Sequence, residues 1–370
     1  MKIKLKGTFF NNHSLSIVNR NAMIELSKYA QVLIEPLDLP TVESKVSKEA
    51  IEKLLGLTGT NIGTPDIELR HSYPPNWAWP EDNSTKVVYI QPWEYTNIPS
   101  EWQYKFDTFA DAVISPSSWN TNVYREAGID PNKLFTVPNG YDPTIFNEEG
   151  RTESEVTTVL FVGCNQFRKG LDILLSVWSQ VTKKSDKIKL VIKDMPVIYG
   201  ETNLLDEITR LQYKHKCAKI EYIDSQLSEL EMADLYKSAN ILIHPYRGEG
   251  FGMHIQEAIA CGCIPLVTAG GPTDEFVTNF KINASPRVVD MYSIFALKPT
   301  DSMSSMGSHK FVMEPDAQHL AIQLKHIVDN LSTIIVNKSK LQTWEDVGLQ
   351  YFEVLKKVGM PKTLPRRILK

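Results

Sequence analysis

Residues 239–263 read ANILIHPYRGEGFGMHIQEAIACGC, and this stretch indicates how the chain folds. Its apolar beginning, Ala239–Pro245, is typical of a buried strand that a proline ends. Arg247–Gly252 is a glycine-rich turn, Met253–Cys261 has helical composition, and Gly262 suits the C-terminal stop of that helix. The order strand, glycine loop, helix, strand predicts a doubly wound α/β domain.

The glycine loop predicts an anion site. Gly250 and Gly252 lack a Cβ atom and therefore let the backbone approach a ligand closely. A helix N-terminus carries partial positive charge and unpaired N–H groups, here those of Phe251, Gly252, Met253 and His254. These features suit a diphosphate. The alternative is that the loop is a tight turn without a ligand.

Two carboxylates bracket this loop. Glu249 lies on the loop itself, and Glu257 lies about one turn into the helix. Helical side chains lean towards the N-terminus, so both carboxylates can reach a ligand held there. A carboxylate accepts paired hydrogen bonds and so suits the vicinal hydroxyls of a ribose or another sugar. The alternative is that Glu257 faces water on a surface helix.

The rest of the chain repeats the alternation of strands and helices. Strand and helix patterns fill residues 1–150, turn residues and charges follow Thr136–Pro143, and a second series opens at Thr158. The sequence therefore predicts an N-terminal domain over residues 1–150, a C-terminal domain over 151–335 and a closing helical segment over 336–370. Residues 301–308 are small and polar and predict a loop.

Composition excludes several classes of function. The 370 residues are 42% hydrophobic and carry a net charge of −4, so no positive field gathers nucleic acid. There is no apolar run near the roughly 20 residues of a membrane span, and the polar residues 11–14 predict that the N-terminus is not a signal peptide. Four cysteines without metal-like spacing predict neither disulfides nor zinc, and hence a cytoplasmic location. The basic tail over 365–370 favours at most peripheral membrane contact, and the oligomeric state is not indicated.

Four motifs together resemble one enzyme family. Gly248–Gly262, with Glu249 and Glu257 separated by seven residues, resembles the E-x7-E motif of family 4 retaining glycosyltransferases. In the same order, Val137–Asp142 resembles the family's V-P-N-G-V-D, Arg168–Leu171 its R/E-K-G-L, and Thr343–Asp346 the start of its closing helix. The family has the GT-B fold, in which two doubly wound Rossmann-like domains face a cleft. The motifs cover residues 137–346, and the first domain matches by layout alone.

The resemblance implies a role for each matching residue. Glu257 would hold the ribose of a nucleotide-sugar donor, Glu249 the hydroxyls of the transferred sugar, and the loop amides the diphosphate. Lys169 would be the cation on the diphosphate; the alternative is a solvated lysine at a helix start. No catalytic metal and no cofactor beyond the nucleotide-sugar would be needed. The N-terminal domain would hold the acceptor, a glycan, lipid-linked or protein molecule, and the closing segment would pack back on it.

This chain departs from the family at two places. Many members have an arginine five residues before the lysine, where this chain has Cys164, which cannot make the paired phosphate contacts of a guanidinium. We expect Arg168 to substitute for it as a catalytic cation; the alternative is an exposed Arg168 without a role.

The second departure is on the acceptor side. The family often has a histidine at the end of a first-domain strand, and after Val87–Ile90 this chain has Gln91, Pro92, Trp93 and Glu94. Gln91 or Glu94 is a candidate for that place. His13, in the first strand-to-helix loop, is another candidate to meet the acceptor, and the alternative is a loop histidine without a role. Five of the seven tryptophans fall in this domain. Of these, Trp93 is the candidate to stack on an acceptor sugar, whereas most are expected in the core.

Other functions share these features. A sugar-nucleotide epimerase or a phosphorylase of the same architecture would share the diphosphate site. A non-enzymatic sugar-nucleotide sensor would explain Cys164 and the missing histidine. The sequence does not name the base, the sugar, the linkage or the acceptor.

Overall fold

The structure, a computed structural model, describes residues 1–41, 45–152, 154–196, 203–290 and 309–360. The predicted loop over 301–308 and the basic tail over 365–370 lie outside these residues. The described chain forms two α/β domains, each built on a parallel six-stranded sheet, and an antiparallel hairpin. The prediction of two doubly wound domains is confirmed.

The first sheet has the strand order β2-β1-β3-β4-β5-β6. Because β2 and β3 lie on opposite sides of β1, the carboxyl ends of β1 and β3 flank a topological switch point, where open α/β sheets form their ligand crevice. The strands of this sheet are β1 (Lys2–Gly7), β2 (Gln31–Pro36), β3 (Ile67–Arg70), β4 (Lys86–Ile90), β5 (Ala112–Ser115) and β6 (Leu134–Thr136).

The second sheet has the order β12-β11-β10-β7-β8-β9. Its switch point lies between β7 and β10, and the glycine loop follows β10 directly. The strands are β7 (Thr157–Val162), β8 (Ile188–Lys193), β9 (Lys219–Ile223), β10 (Ile241–His244), β11 (Ile264–Thr268) and β12 (Lys281–Ile282).

Helices pack on the faces of both sheets through their apolar sides. In the first domain they are α1 (Ser14–Leu26), α2 (Lys48–Thr58), α3 (Ser100–Phe109) and α4 (Ser118–Glu126). The second domain contains α5 (Leu171–Val181), α6 (Leu204–His215), α7 (Glu229–Lys237), α8 (Met253–Ala260) and α9 (Ala317–Asp329), and α10 (Trp344–Gly359) follows. None of the helices in the described ranges is long and apolar enough to cross a membrane.

Helix α10 returns to the first domain. A capping box between Thr343 and Asp346 begins the helix. Its buried Val347, Tyr351 and Leu355 belong to the same hydrophobic cluster as the residues of β1 and α1. The core of the first domain is therefore completed by residues that lie more than 200 positions after its last strand, since β6 ends at Thr136.

The hairpin was not predicted. It consists of β13 (Ala284–Asp290) and β14 (His309–Pro315), paired antiparallel. Val289 and Val312 are buried in an aromatic cluster of the first domain that includes Trp93 and Trp102. The hairpin thus joins the second domain to the first beside the cleft.

Candidate active site

A cavity of about 240 Å³ lies between the two domains. It is open to both switch points, because residues after β1 and β3 line one wall and residues after β7 and β10 line the other. Every residue predicted for the donor side lines it: Arg168, Lys169, Glu249, Gly250, Phe251, Gly252, Met253, His254 and Glu257.

An ion pair between Lys169 and Glu249 lies on the cavity wall. Lys169 Nζ donates to Glu249 Oε2 at 2.5 Å, and both residues are buried. Burial alone would raise the pKa of Glu249, but Lys169, His244 and Arg168 hold that pKa well below its ordinary value. Glu249 is therefore an ionised carboxylate facing the cavity, able to accept hydrogen bonds from sugar hydroxyls.

Gly170 sets the position of Lys169. Its φ of 72° is left-handed, and a Cβ atom there would lie 1.8 Å from the carbonyl oxygen of Pro245. Only glycine fits this approach between the loop after β7 and the end of β10. The approach brings the lysine to the glycine loop that carries Glu249.

Arg168 contacts carboxylates of both domains. Its guanidinium lies 3.8 Å from Glu249 Oε2 and 3.7 Å from Glu94 Oε1 of the first domain. The side chain is 14% exposed, contrary to the alternative of an exposed arginine. Cys164 also lines the cavity, and burial raises the pKa of its thiol. Arg168 is therefore the guanidinium nearest the position where Cys164 leaves the family's arginine missing.

The glycine loop meets the first domain at Gly248 and Gly250. A Cβ atom on Gly248 would lie 2.3 Å from the carbonyl oxygen of Glu94, and the carbonyl of Gly250 accepts a hydrogen bond from Ser117 Oγ at 3.2 Å. Gly252 is the N-cap of α8, with a φ of 93° and no side-chain cap. The N-terminus of α8 thus opens into the cavity without an anionic side chain on it.

Two buried histidines lie beneath Glu249. His244 ends β10, with Nε2 3.6 Å from Glu249 Oε2, and its ring meets that of His254 edge to face at 4.4 Å. Burial lowers the pKa of His244 to about 4, and burial together with His244 and Lys169 lowers the pKa of His254 well below its ordinary value. Both imidazoles are neutral at pH 7.

His244, Glu249 and His254 form a group that could in principle hold a metal ion, since their ligand atoms lie within 4.8 Å of one another. However, Lys169 lies 2.5 Å from the carboxylate of this group, and Arg168 lies 3.8 Å from it. Two resident cations would repel a divalent cation at this distance. The donor set therefore fits a metal poorly.

Glu257 lies at the other end of the cavity. Tyr236 donates its hydroxyl to Glu257 Oε2 at 3.1 Å. Burial raises the pKa of Glu257 to about 7; the Tyr236 hydrogen bond opposes this, and the charge of Glu229 adds to it. The carboxylate is thus pre-oriented and titrates near neutral pH.

Beside Glu257, a clasp closes the cavity. We use this word for two contacts between the domains: Arg20 pairs with Glu229 at 3.0 Å, and Asn12 Nδ2 donates to the carbonyl of Leu227 at 3.2 Å. Arg20 is 1% exposed and also donates to the carbonyl of Asn11. A buried guanidinium of the first domain therefore has its carboxylate partner in the second.

Only some of the residues predicted for the acceptor side line the cavity. Glu94 lines the cavity and pairs with Arg168, whereas Gln91 and Trp93 are both 2% exposed and are not among the described lining residues. Trp93 was predicted to stack on an acceptor sugar. Its ring instead contacts Tyr95 and Trp102 inside the aromatic cluster and is not accessible to a sugar.

His13 is the N-cap of α1. Its Nδ1 accepts a hydrogen bond from the amide of Leu15 at 3.3 Å. Burial and the charge of Arg168 lower the pKa of His13. The flanking Asn12 and Ser14 line the cavity, whereas His13 is not among the described lining residues.

His71, which sequence analysis missed, is a first-domain histidine at the end of a strand. It follows β3 directly, lines the cavity and is 4% exposed. Burial, with a contribution from His13, lowers its pKa to about 3. The sequence analysis considered only His13 and the residues after β4 for the acceptor side.

Lys193 was also missed. It ends β8, lines the cavity, is 2% exposed and donates to the carbonyl of Asp194. Burial lowers its pKa to about 8. In the sequence it is one of many lysines, and only the fold places it in the cavity.

Comparison with known proteins agrees with this geometry. Residues 143–294 match the model of the glycosyl transferases group 1. This part of the chain is similar to the group 1 glycosyltransferases. The match contains Lys169, Glu249 and Glu257 but covers less than half of the chain.

The likeness to curated proteins is distant. The gpi3 subunit of phosphatidylinositol N-acetylglucosaminyltransferase from Schizosaccharomyces pombe is 19% identical over 234 residues, which is 62% of this chain and 50% of that protein. D-inositol 3-phosphate glycosyltransferase 1 of Catenulispora acidiphila is 28% identical over 153 residues, 38% of this chain and 36% of that protein. The chain spans about half or less of the length of these curated relatives.

Solved structures extend the likeness from residues 143–294 to the fold of the whole chain. Anabaena HepE, in complex with UDP-glucose, superposes with a TM-score of 0.65 at 12% identity over 96% of this chain and 100% of that one. A glycosyltransferase from Rickettsia africae superposes with a TM-score of 0.65 at 15% identity over 98% and 99%. The fold is therefore GT-B, as the sequence resemblance implied.

Proposed function

We propose that this protein transfers a glycosyl group from a nucleoside diphosphate sugar to an acceptor hydroxyl, with retention of anomeric configuration and without a catalytic metal. The observation that carries the proposal is the Lys169–Glu249 ion pair at the open N-terminus of α8, in a cavity between two domains. Lys169 supplies a cation for a diphosphate, and the ionised carboxylate of Glu249 accepts hydrogen bonds from sugar hydroxyls.

The donor would lie along the wall formed by the second domain. Its diphosphate would contact the first amides of α8 and Lys169, its ribose hydroxyls Glu257, and its sugar Glu249. When the bond between the sugar C1 and the diphosphate oxygen breaks, the electron pair stays on the diphosphate. Lys169, Arg168 and the helix N-terminus stabilise this growing charge more in the transition state than in the ground state. The acceptor oxygen forms the new bond to C1 on the same face, and its proton passes to the leaving diphosphate oxygen.

The first domain would hold the acceptor. Its cavity wall contributes Glu94. The same wall contributes His71, a neutral imidazole that suits contact with a hydroxyl of the transferred sugar. The acceptor's identity, whether glycan, lipid-linked or protein, and a cytoplasmic location remain predictions from the sequence.

Uridine nucleotides are the first donors to test, because the GT-B structure of HepE binds UDP-glucose. A thermal-shift screen with uridine, guanosine and adenosine diphosphates would identify the base, since selective binding raises the unfolding temperature by mass action. Each binding base would then be tested as nucleotide-sugars in a product assay. Binding without turnover or donor hydrolysis, for every sugar tried, would favour the sensor instead.

The decisive variant is Glu249→Gln. We expect it to lower kcat by at least about a hundredfold while nucleoside diphosphate binding stays within a few-fold, because the carboxylate contacts the sugar and not the nucleotide. Glu221→Gln is the control: Glu221 is a carboxylate on β9 that pairs with two lysines away from the cavity. A normal kcat in Glu249→Gln would refute the assignment.

A further inference from the structure

His71 has one ring edge held by the protein and one edge without a partner. Its Nδ1 lies 2.8 Å from Asn19 Oδ1. Its Nε2 is buried and has no hydrogen-bond partner among the described residues. A buried polar atom without a partner is costly, so such an atom in a cavity wall indicates that a ligand completes it.

The orientation of the Asn19 side-chain amide determines whether its oxygen or its nitrogen faces His71. Asn19 lies on α1 and is fully buried. Its Nδ2 donates to the carbonyl of Thr8 at 3.0 Å, so the amide nitrogen points towards the end of β1. The amide oxygen is therefore the atom that faces His71, and an amide oxygen can only accept.

Gly7 leaves the space that this orientation requires. A Cβ atom on Gly7 would lie 2.9 Å from Asn19 Nδ2. The carboxyl end of β1 thus fixes Asn19, and Asn19 contacts the residue that follows β3. These are the two strands that flank the switch point of the first sheet.

We propose that Asn19 is a positioning residue that fixes His71 as the Nδ1–H tautomer, so that Nε2 presents a lone pair to a hydroxyl of the substrate. Asn19 Oδ1 needs a donor, and the neutral imidazole has one N–H to give. With the proton on Nδ1, Nε2 only accepts. The partner in the cavity must then donate a hydrogen bond, as a sugar hydroxyl does and an ether or carbonyl oxygen does not.

The identity of that hydroxyl as part of a sugar rests on the proposed function, whereas the tautomer does not. A site built to pair with a hydroxyl rejects an analogue that lacks it, because the buried nitrogen is then left unpaired. The Asn19–His71 pair would accordingly act as a specificity element for one hydroxyl of the substrate.

The tautomer can be measured on the full chain without any ligand. Long-range proton–nitrogen correlation spectra distinguish the protonated from the unprotonated imidazole nitrogen, and His71→Gln assigns the signals. We expect wild-type His71 to be Nδ1–H by a ratio above about ten to one, since the alternative leaves Asn19 Oδ1 facing a lone pair. A predominant Nε2–H tautomer would overturn the proposal even if Asn19→Leu does not fold.

Asn19→Leu tests the cause, and Asn21→Leu is its matched control. Asn21 lies on the same helix but donates to the carbonyl of Ile17. We expect Asn19→Leu to mix the two tautomers and Asn21→Leu to leave the ratio unchanged. An unchanged ratio in a folded Asn19→Leu protein would show that Asn19 does not position His71.

The contact with a hydroxyl is tested with UDP-glucose, UDP-galactose, UDP-N-acetylglucosamine and GDP-mannose. Saturation with whichever binds most tightly should shift the Nε2 signal, and one monodeoxy analogue of its sugar should lose the shift and at least about tenfold in kcat/KM. If a nucleotide-sugar binds and turns over without moving Nε2, the contact is refuted and the proposed function stands. If none of the four binds, the proposed function fails for these donors and the hydroxyl contact is refuted with it, while the ligand-free spectra still decide the tautomer.

Discussion

Arg20 of the first domain and Glu229 of the second form an ion pair 3.0 Å long beside the predicted ribose carboxylate, Glu257. Arg20 is 1% exposed, whereas Glu229 is 26% exposed. When the domains separate, the guanidinium loses its carboxylate partner while it still donates to the backbone carbonyl of Asn11 in its own domain. The charge of Arg20 is therefore paired with a carboxylate only when the cleft is closed.

Glu229→Gln should weaken the clasp. Removing one partner of a fully buried pair costs about 3–5 kcal/mol, and the loss here should be smaller because Glu229 is partly solvated. We expect weaker binding of UDP-glucose by calorimetry and a larger radius of gyration of the ligand-free protein. Lys45→Gln is the control, since Lys45 and Glu231 form an exposed cross-domain pair at 3.6 Å, worth about 0–1 kcal/mol. Equal effects of the two substitutions would contradict a special role of Arg20.

Lys169→Met should act mainly on the transition state. The variant removes the cation nearest Glu249 and, by the proposal, the cation on the leaving diphosphate. We expect kcat to fall by about 10²–10³ with a smaller change in KM. Lys189→Met, which removes a lysine on β8 paired with Glu221, should leave both constants unchanged. A change in KM alone would mean that Lys169 binds the ground state and transition state equally.

Donor affinity should depend on pH through Glu257. The pKa of this carboxyl is about 7, above its ordinary value, so it is protonated at low pH and ionises as the pH rises. If the ionised form binds ribose, the affinity for UDP-glucose should increase about tenfold as the pH rises from about 6 to 8. UDP-glucose is the suitable ligand because its phosphates do not titrate in this range.

Glu257→Gln should abolish that pH dependence. His71, with a pKa of about 3, and His244, with a pKa of about 4, do not titrate there. Lys193, with a pKa of about 8, titrates at the upper end, and its loss of charge would act in the opposite direction. Affinity that falls with rising pH, or a slope retained in Glu257→Gln, would assign the effect to another group.

Activity should survive chelation. Lys169 and Arg168 already pair with the Glu249 carboxylate, which a metal ion would need as a ligand. Excess EDTA is therefore expected to change the transfer rate by less than about twofold. The measurement is initial rate with and without chelator on dialysed enzyme. Activity that disappears with EDTA and returns with one divalent cation would show that His244, Glu249 and His254 hold a metal after all.

Gly170→Ala should destabilise the second domain. The new Cβ would overlap the carbonyl of Pro245 at 1.8 Å, in a backbone conformation that L-residues adopt at a cost of about 1–2 kcal/mol. We expect the free energy of unfolding, measured in urea, to fall by more than about 2 kcal/mol. Gly56→Ala in α2 is the control, since nothing lies within 4 Å of its Cβ position and alanine favours a helix by up to about 1 kcal/mol.

The second domain could be predicted from its sequence because its parallel strands are nearly uninterrupted apolar runs. Val159, Phe161, Leu190 and Ile192 are all fully buried, as the pattern indicates for strands covered on both faces. The predicted donor-side residues from Glu249 to Glu257 likewise follow one another closely, and they line the cavity together with Arg168 and Lys169. Local sequence was therefore sufficient to place these residues in the cavity.

The first domain was harder to predict because one of its strands contains charged residues. β3 carries Glu68 and Arg70, which form a 2.7 Å ion pair, and Arg70 is 5% exposed with hydrogen bonds to the carbonyls of Asn76 and Ala78. Charged residues that are satisfied within the fold look like a loop in the sequence. The strand was missed, and His71 at its end was missed with it.

The return of α10 to the first domain has a consequence for synthesis. The second domain contains all strands of its own sheet and can fold while the ribosome is still translating. The first domain, although it begins the chain, lacks Val347, Tyr351 and Leu355 of its core until α10 has emerged. Its apolar surface stays uncovered until Gly359, the end of α10, has been made. Ribosome-bound intermediates are therefore expected to expose this surface, and the domain translated first would be completed last.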